Sequence, residues 1–497
     1  MKKHVVILGG GTAGWMAAQL FTHQLPEVSV TLVESADIGI VGVGEGSTPT
    51  LKRFFDICGI AESEWMPECN ATYKVNIRFE HWSPASGIES YSHPFLTQID
   101  TFTERAFEVN CRTRRLGLDT TTSPEMFLLN GVLAAQNKGP LTPQNFPFRM
   151  EYGYHFDSHL LGQFLRKKSL AQGVNHVIAN VVEVTRSLDG DVEALILEGG
   201  ERVTGDMFID CSGFASLLMQ RTLGVPFQSF AENLFNNAAV VIPTDAQPVI
   251  PVETRSTALS TGWCWSIPLT SRTGNGYVYS DDYLSADAAE LELRQHLGVD
   301  ENVEARHLKM RVGQLTQHWS HNCVGLGLSQ GFIEPLEATA LHLVQVSIEM
   351  FISLWKEGGY NDSNRAIFNQ KIKQRFDHVR DYIVAHYKMN TRIDSDYWRE
   401  NRENPNFSDS LGHILDVWFK REDLRVEIDR QKLDSHFGSL SWHCLLSGYG
   451  AYPPLAEGQP GKGDLYIEQN VEQFLNRCAL NFSSHQDNIA SHRKERI

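Results

Sequence analysis

The chain has 497 residues, of which 42% are hydrophobic and 21% are charged, and its formal net charge at pH 7 is −16. This composition is typical of a globular protein with a large core, and the length suggests about three domain-sized units. The negative charge argues against a surface that binds nucleic acid or anionic membranes, and no apolar run reaches the roughly 18 residues of a membrane span. The start, MKKHVVILGGG, lacks the apolar segment of a signal peptide, and the eight cysteines show no zinc spacing. We therefore expect a cytoplasmic protein with reduced thiols and no metal.

The first fifty residues predict a nucleotide-binding unit. The stretch HVVILGGGTAGWMAAQLF, from residue 4, indicates a buried strand, a glycine turn of the G-x-G-x-x-G type and a helix. A second strand, VSVTLVE, ends in an acid twenty residues after the last of these glycines, where a carboxylate accepts hydrogen bonds from a ribose. A pyrophosphate would lie against backbone N–H groups at the helix start. The predicted ligands of the dinucleotide are Gly9, Gly11, Thr12, Ala13, Gly14 and Glu34.

The middle of the chain decides between FAD and NAD. Residues 181 to 213 alternate in short runs broken by Asp189-Gly190 and Gly199-Gly200, which predicts a three-stranded meander returning to a buried strand. A Rossmann-type parallel sheet with a β-meander crossover resembles the FAD-binding hydroxylase fold, an α/β architecture. The resemblance implies that residues 323 to 344, predicted as a strand, a glycine turn and a helix, complete the flavin pocket. Val181, Leu328 and Leu341 are its expected contributions to FAD binding.

The stretch GWCWSIPL, from residue 262, predicts a strand with two tryptophans on one face. Side chains alternate along a strand, so Trp263 and Trp265 point the same way, and Pro268 ends the ladder. Leucines would fill a core without indole N–H groups that need partners, although a core role for the pair stays open. Further on, apolar residues at steps of three and four predict a helix over 364–390, and the polar run 400–410 predicts a loop.

Three further stretches narrow the family. VGVGEGSTP, residues 41 to 49, is placed to form a strap along the flavin through Val43, Gly44, Glu45 and Ser47. ECNATYKVNIRFEHW carries Lys74 among apolar and aromatic neighbours, and FIEPLEATA carries Glu337 beside a helix start. With the glycine fingerprint and W-x-W-x-I-P, this ordered set resembles the flavin-dependent tryptophan halogenase family, from the start of the chain to about residue 445.

The resemblance implies a specific chemistry. FAD reduced by a separate flavin reductase, oxygen and a halide would give hypohalous acid inside the protein, and the acid would pass through a tunnel to Lys74. Lys74 would present the oxidant to an electron-rich aromatic ring, and Glu337 would orient the oxidant or take the ring proton. In the family the tryptophan pair is thought to keep organic substrate away from the flavin, and His93 lies where members line the substrate pocket. A surface lysine, a helix-start carboxylate and a turn histidine are the alternative interpretations of Lys74, Glu337 and His93.

The family pattern is not met everywhere. Tryptophan halogenases proper read P-L-E-S-T-G where this chain reads P-L-E-A-T-A from Pro335, and the tyrosine pair and glutamate that hold the amino-acid part of tryptophan are not found. This variant resembles a branch that acts on indole-like rings, which puts free tryptophan in doubt. The halide would be held at Thr339 and Ala340. Because an alanine methyl disfavours positive φ and adds apolar surface where glycine left room, we predict bromide or iodide over chloride.

The predicted organisation is one compact body. Residues 1–350 would form the FAD-binding and halide and substrate module, with FAD segments near 4–50, 155–215 and 320–350, and a substrate-binding sheet. Residues 351–497 would form a mainly helical cap packed on it, and the sequence leaves open whether the protein forms a homodimer.

Two other classes of function stay open: a single-component FAD-dependent aromatic monooxygenase, and a protein that holds FAD without turnover.

Overall fold

The computed structural model describes residues 2–37, 44–433 and 436–494. The chain divides into two compact units, each built from separated segments. Unit 1 comprises Met1–Ala71, Phe156–Phe230 and Arg311–Asp377. Unit 2 comprises Thr72–His155, Ala231–Met310 and His378–Ile497. This division cuts the chain elsewhere than at residue 350, and the predicted boundary there stays a prediction.

The strands alternate with helices in the first half of the chain and cluster between residues 175 and 332. They are β1 (His4–Leu8), β2 (Ser29–Glu34), β3 (Glu45–Gly46), β4 (Thr72–Lys74), β5 (Asn76–Ser83), β6 (Ile88–Pro94), β7 (Gly153–Phe156), β8 (Asn175–Ile178), β9 (Val181–Arg186), β10 (Val192–Leu197), β11 (Arg202–Thr204), β12 (Met207–Asp210), β13 (Phe227–Ser229), β14 (Ala238–Asp245), β15 (Glu253–Leu259), β16 (Gly262–Pro268), β17 (Arg272–Tyr279), β18 (Arg306–Lys309), β19 (Gly313–Leu315), β20 (Trp319–Ser320), β21 (Cys323–Gly325) and β22 (Gly331–Phe332).

The helices dominate the last third of the chain, which confirms the predicted helical C-terminal region. They are α1 (Thr12–Gln24), α2 (Thr50–Ile57), α3 (Glu62–Trp65), α4 (Glu104–Arg115), α5 (Pro124–Phe127), α6 (Leu129–Ala135), α7 (Ser158–Ala171), α8 (Ala286–Leu297), α9 (Ala340–Glu357), α10 (Arg365–Met389), α11 (Asp396–Glu403), α12 (Asp409–Phe419), α13 (Leu424–Gln431), α14 (Ser439–Gly448), α15 (Leu465–Glu468), α16 (Val471–Ala479) and α17 (His485–Lys494). None of those described is long and apolar enough to cross a membrane.

Unit 1 is built on a parallel sheet, as the FAD-binding hydroxylase fold requires. Its strand order is β20-β21-β12-β1-β2-β8, and every neighbouring pair is parallel except the short edge pair β20–β21. Strands β9, β10 and β11 form the predicted antiparallel meander, with its turns at Gly190 (φ 90°) and Gly200 (φ 81°). Apolar side chains of the meander, such as Leu195, pack with Val6 and Phe208 of the sheet in one buried cluster. Burying these two apolar faces against each other fixes the crossover on the sheet.

Unit 2 is built on a mixed seven-stranded sheet. The order is β18-β14-β17-β16-β15-β5-β6, in which β15 and β5 are parallel and the other pairs are antiparallel. Cys264 of β16 belongs to the buried cluster that includes Leu293 of α8. Because side chains alternate, the two tryptophans of β16 stand on the opposite face, which confirms the sequence prediction.

Two predicted elements can be compared closely with the structure. Helix α10 matches the predicted 364–390 within one residue at each end, and its apolar face is buried. The loop predicted over 400–410 is wrong at both ends, because α11 runs to Glu403 and α12 begins at Asp409. Ser408 caps α12 by accepting the Leu411 N–H, so the serine-rich end of that run starts a helix instead of extending the loop.

Candidate active site

In the glycine turn between β1 and α1, Gly9 and Gly14 are closely packed, whereas Gly11 faces open space. A Cβ on Gly9, at φ 114°, would meet the Cys211 carbonyl oxygen at 2.2 Å, and one on Gly14 would meet the Gly9 oxygen at 2.0 Å. A Cβ on Gly11 would meet nothing within 4 Å. Gly11 precedes Thr12 and Ala13, the first residues of α1. The open cradle at a helix N-terminus fits a pyrophosphate, which takes backbone N–H donors there.

Glu34 lies beside this turn, where the sequence predicts a ribose-binding carboxylate. It is the last residue of β2, and a Cβ on Gly10 would fall 1.5 Å from its Oε2. Its Oε1 is 2.7 Å from Nε2 of His176, and Nη1 of Arg166 lies 3.9 Å away. The imidazole therefore orients the carboxylate, a contact that the sequence pattern did not reveal.

The strap segment is described from Gly44 onward; Val43 lies outside the described residues. Gly44 has φ 76°, and Glu45 begins β3. Burial raises the pKa of Glu45 to about 7, against a hydrogen bond with Ser158 that lowers it. Ser47 is buried, and the next residue, Thr48, has its Oγ1 3.1 Å from Nδ1 of His342 in α9. This contact connects the strap to α9, the helix that begins at the predicted halide residue Ala340.

The start of α9 corrects one part of the sequence analysis. Ala340 is the first residue of α9 and has no positive φ, so the expected strain at this position is wrong. The left-handed residue is Ala338, at φ 55°, which caps the 3₁₀ turn Pro335–Glu337. The positive φ thus occurs at Ala338, two residues before the position at which the sequence analysis expected it. Glu337 itself is buried, with 2% of its surface exposed.

Thr339 and Ala340 fit an anion. The Thr339 hydroxyl is buried and has no hydrogen-bond partner among the described residues. The first N–H groups of a helix lack intrahelical acceptors, and a buried hydroxyl proton without an acceptor is costly. A halide would accept from both kinds of donor.

The remaining predicted FAD residues lie in unit 1. Leu341 follows Ala340 in α9 and is buried, and Leu328 is half-buried in the turn Gly327–Ser329. A Cβ on Gly327 would come within 3.0 Å of Ala13 Cβ, so this turn lies on the start of α1. Val181 begins β9 and packs against the unit 1 core. The FAD role of these three leucine and valine side chains stays a prediction.

Lys74 is held inside unit 2. It is the last residue of β4 and is fully buried, with Nζ 5.4 Å from the centroid of the Phe95 ring. Burial, together with the positive charge of Lys74, holds the pKa of the neighbouring His155 well below its ordinary value. The interpretation of Lys74 as a surface lysine is therefore wrong, because its whole side chain is buried away from bulk water.

The tryptophan pair lies on β16 of unit 2. Trp263 and Trp265 have 1% and 6% of their surfaces exposed, and their ring centroids are 6.1 Å apart at 59°. The Trp265 indole lies against the backbone of β17, where a Cβ on Gly276 would meet its ring at 2.1 Å. Its Nε1 has no hydrogen-bond partner among the described residues. Only a glycine at position 276 leaves room for this indole.

His93 also belongs to unit 2. It lies near the end of β6, opposite Ile77, so it is a strand residue and not a turn residue. Its Nε2 is 3.0 Å from Ser441 Oγ, and the rings of Tyr382 and Phe437 lie within about 6 Å. A histidine among aromatic rings suits the lining of an aromatic-substrate pocket, and that role stays a prediction.

The comparisons with known proteins cover nearly the whole chain. The profile described as tryptophan halogenase matches residues 4–459. The tryptophan 6-halogenase of Streptomyces toxytricini is 36% identical over 496 residues, covering 93% of this chain and 92% of that protein. Its crystal structure aligns with a TM-score of 0.84 over 98% of this chain and 99% of that chain, at 31% identity. A flavin-dependent halogenase from Brevundimonas sp. BAL3 aligns with a TM-score of 0.83 over 99% of both chains, also at 31% identity.

Proposed function

This chain belongs to the tryptophan halogenase family, and from that premise we propose that it halogenates an electron-rich aromatic ring, such as an indole, with hypohalous acid generated within the protein. It is a flavin-dependent enzyme with FAD, used in its reduced form, as cofactor and halide as co-substrate. Reduced FAD together with oxygen supplies the oxidation of the halide. The observation that carries the proposal is Lys74, a fully buried lysine at the end of β4 whose Nζ lies 5.4 Å from the centroid of the Phe95 ring.

Unit 1 binds the cofactor and the halide in this proposal. The open side of Gly11 takes the pyrophosphate, Glu34 accepts from the ribose, and the segment from Gly44 to Ser47 runs along the flavin. Thr339 and Ala340 hold the halide through the helix N–H groups and the Thr339 hydroxyl, which has no hydrogen-bond partner in the described part of the chain. These donors would stabilise an anion.

Unit 2 uses the oxidant. The Lys74 ammonium donates a hydrogen bond to the oxygen of hypohalous acid, which makes the halogen more electrophilic. The ring carbon forms a bond to the halogen, the oxygen–halogen bond breaks, and the oxygen leaves as water after taking a proton. The ring then loses its proton, and Glu337, a residue of unit 1, is proposed as the base that takes it. The balance is one aromatic C–H and one hypohalous acid converted to one C–halogen bond and one water.

The substrate is proposed to be an indole-type ring without a required amino-acid group. Relatives from Streptomyces are named tryptophan 6-halogenases. In this chain the tyrosine pair and the glutamate expected for an amino-acid grip are not found, and Ala338 stands where the family pattern P-L-E-S-T-G has serine. The tryptophan pair of β16 is proposed to keep this ring from direct contact with the cofactor. His93 is proposed to line the ring's pocket.

The halide is proposed to be bromide or iodide before chloride. The Ala340 methyl adds apolar surface at the helix start, and chloride loses more hydration energy than the larger halides when it is stripped of water. One structural neighbour is named a chlorinase. A direct competition between bromide and chloride therefore tests the proposed preference. Equal bromide and chloride in one reaction should yield mainly brominated product by mass spectrometry, and chlorinated product in equal or greater amount would refute the preference.

The test of the proposed function supplies the protein with FAD, NADH, a separate flavin reductase, oxygen and a halide, and screens indole, substituted indoles and tryptophan by mass spectrometry. We expect a halogenated indole, and almost none when the reductase is omitted, because the chain carries one dinucleotide fingerprint. Steady oxidation of NADH by the purified protein alone, with a hydroxylated ring as product, would favour the monooxygenase instead.

A further inference from the structure

A buried chain of hydrogen bonds joins the strand of Lys74 to the strands of the large sheet in unit 2. Thr72 and His155 are directly opposite each other in the antiparallel pair β4–β7, and both are fully buried. The Thr72 hydroxyl donates to the Pro268 carbonyl oxygen at 2.7 Å, and Thr72 Oγ1 lies 3.1 Å from His155 Nδ1. His155 Nε2 lies 2.8 Å from the Thr254 hydroxyl. One imidazole therefore connects β4 with β15, and through Thr72 with the end of the tryptophan strand β16.

The protons of this chain can be assigned from the chemistry of its members. A threonine hydroxyl has one proton, and that of Thr72 is used on the Pro268 carbonyl, so Thr72 Oγ1 accepts from Nδ1–H of His155. Nε2 of a neutral imidazole is then an acceptor, and the Thr254 hydroxyl donates to it. The neutral state is favoured because the ring is buried and because the charge of Lys74 and the ring of His485 both face it.

We propose that His155, as the neutral Nδ1–H tautomer, is a positioning residue that holds the Lys74 strand in place for halogenation. The proposal rests on the proposed function of Lys74. Thr72 and Lys74 point to the same face of β4, so the hydrogen-bonded chain lies one side-chain repeat from the lysine. Strand β4 has only three residues. We therefore expect the loss of these hydrogen bonds to shift Lys74 together with the strand.

A positioning role predicts a loss of coupling, not a loss of oxidant. Formation of hypohalous acid is assigned to unit 1, so a change at His155 should leave it in place. The use of the oxidant at Lys74 depends on geometry, and a displacement of about 1 Å can lower a rate by roughly 100-fold. The measurable quantity is the ratio of halogenated ring to hypohalous acid released to a chemical trap.

The test compares three substitutions of His155 with one control. An asparagine amide reproduces Nδ1–H and a glutamine amide reproduces the region of Nε2, so His155→Asn should retain most coupling. His155→Gln and His155→Ala should lower coupling by about 10-fold and reduce kcat more than KM for the ring. The control is His318→Asn, a second fully buried histidine, which lies in unit 1 and is stacked on Phe376. It should lower thermal stability without changing coupling.

A second measurement does not depend on activity. Nitrogen-15 NMR of labelled histidine, with the His155 signal identified by its absence in His155→Asn, should show a neutral ring protonated on Nδ1 at pH 6 to 8. An Nε2–H tautomer or an imidazolium in that range would overturn the proposal. So would wild-type coupling in His155→Gln. A wild-type protein that produces no halogenated ring would overturn the proposed function, and the positioning role with it, while the tautomer would still report whether the assigned hydrogen bonds exist.

Discussion

The glycine turn of unit 1 and the lysine strand of unit 2 are positioned in opposite ways. The turn is fixed by close approaches of backbone to backbone, as between Gly14 and the oxygen of Gly9, five residues away. The lysine strand is fixed by side chains distant in sequence: Thr72 reaches Pro268 across 196 residues, and the Tyr73 N–H donates to His485 across 412. The comparison teaches that a short motif can encode a glycine turn, whereas the position of a buried lysine depends on residues that are far apart in the sequence.

The largest expected effect tests the lysine side of this comparison. Lys74→Met keeps the length of the stem and removes the donor, so the rate of product formation should fall by at least about 100-fold. The flavin spectrum should not change, because the predicted cofactor residues lie in unit 1. The control is Lys420→Met, which removes an exposed lysine paired with Asp416 and should retain full activity. Product at the wild-type rate from Lys74→Met would contradict the assigned role.

The next effect tests the glycine side. Gly11 has an extended conformation (φ −73°, ψ 179°) that alanine accepts, and its Cβ would enter only the cradle. Gly11→Ala should therefore weaken FAD binding by at least about 10-fold and lower the apoprotein's stability by less than about 1 kcal/mol. Gly9→Ala should instead destabilise the fold by at least about 2 kcal/mol, through contact with Cys211 and positive φ. Fluorescence titration with FAD measures the effect on binding, and thermal melting measures the effect on stability. Equal FAD affinity in Gly11→Ala and wild type would contradict the proposed pyrophosphate site at Gly11.

A smaller effect tests how closely the tryptophan strand is packed. Gly276→Ala would drive a methyl into the Trp265 ring and should cost about 1–3 kcal/mol of stability. If the indole separates substrate from cofactor, its displacement should also add hydroxylated ring to the products. Gly199→Ala, where a Cβ meets nothing within 4 Å, is the matched control and should be neutral in both measurements. If Gly276→Ala is destabilised but its products are unchanged, Trp263 and Trp265 serve only as core residues.

The smallest effect concerns pH and the strap. Burial raises the pKa of Glu45 to about 7 in the folded chain, against an ordinary value of 4.5. The carboxyl therefore favours the folded state while it is protonated, and its ionisation destabilises the fold progressively as pH rises from 4.5 through 7. Glu45→Gln should raise the melting temperature of the apoprotein at pH 8 relative to wild type, and by less at pH 5. A difference independent of pH would show that Glu45 ionises normally.

Local patterns in the sequence predicted local structure well. The strand, turn and helix around Gly11, the meander with its turns at Gly190 and Gly200, and the strand of Trp263 and Trp265 are confirmed because each follows from spacing and turn chemistry. The same holds for the apolar face of α10. Val43 lies outside the described residues, and the roles of the predicted site residues stay predictions.

Tertiary detail was beyond the sequence patterns. The left-handed position at Ala338 was assigned to Ala340, because spacing alone does not show where a 3₁₀ turn passes into a helix. The partners His176 of Glu34 and His155 of Thr72 were missed, since each pairs with a residue more than eighty positions away.

One measurement tests the central claim, that halide oxidation and ring halogenation depend on different residues. Wild type and Lys74→Met are each loaded with chemically reduced FAD and given oxygen, bromide and indole, with and without excess methionine to trap oxidant that escapes. We expect equal formation of hypobromous acid by both proteins, and formation of brominated indole in the presence of the trap by wild type alone. Trap-resistant bromination by Lys74→Met, or loss of oxidant together with loss of product, would contradict it.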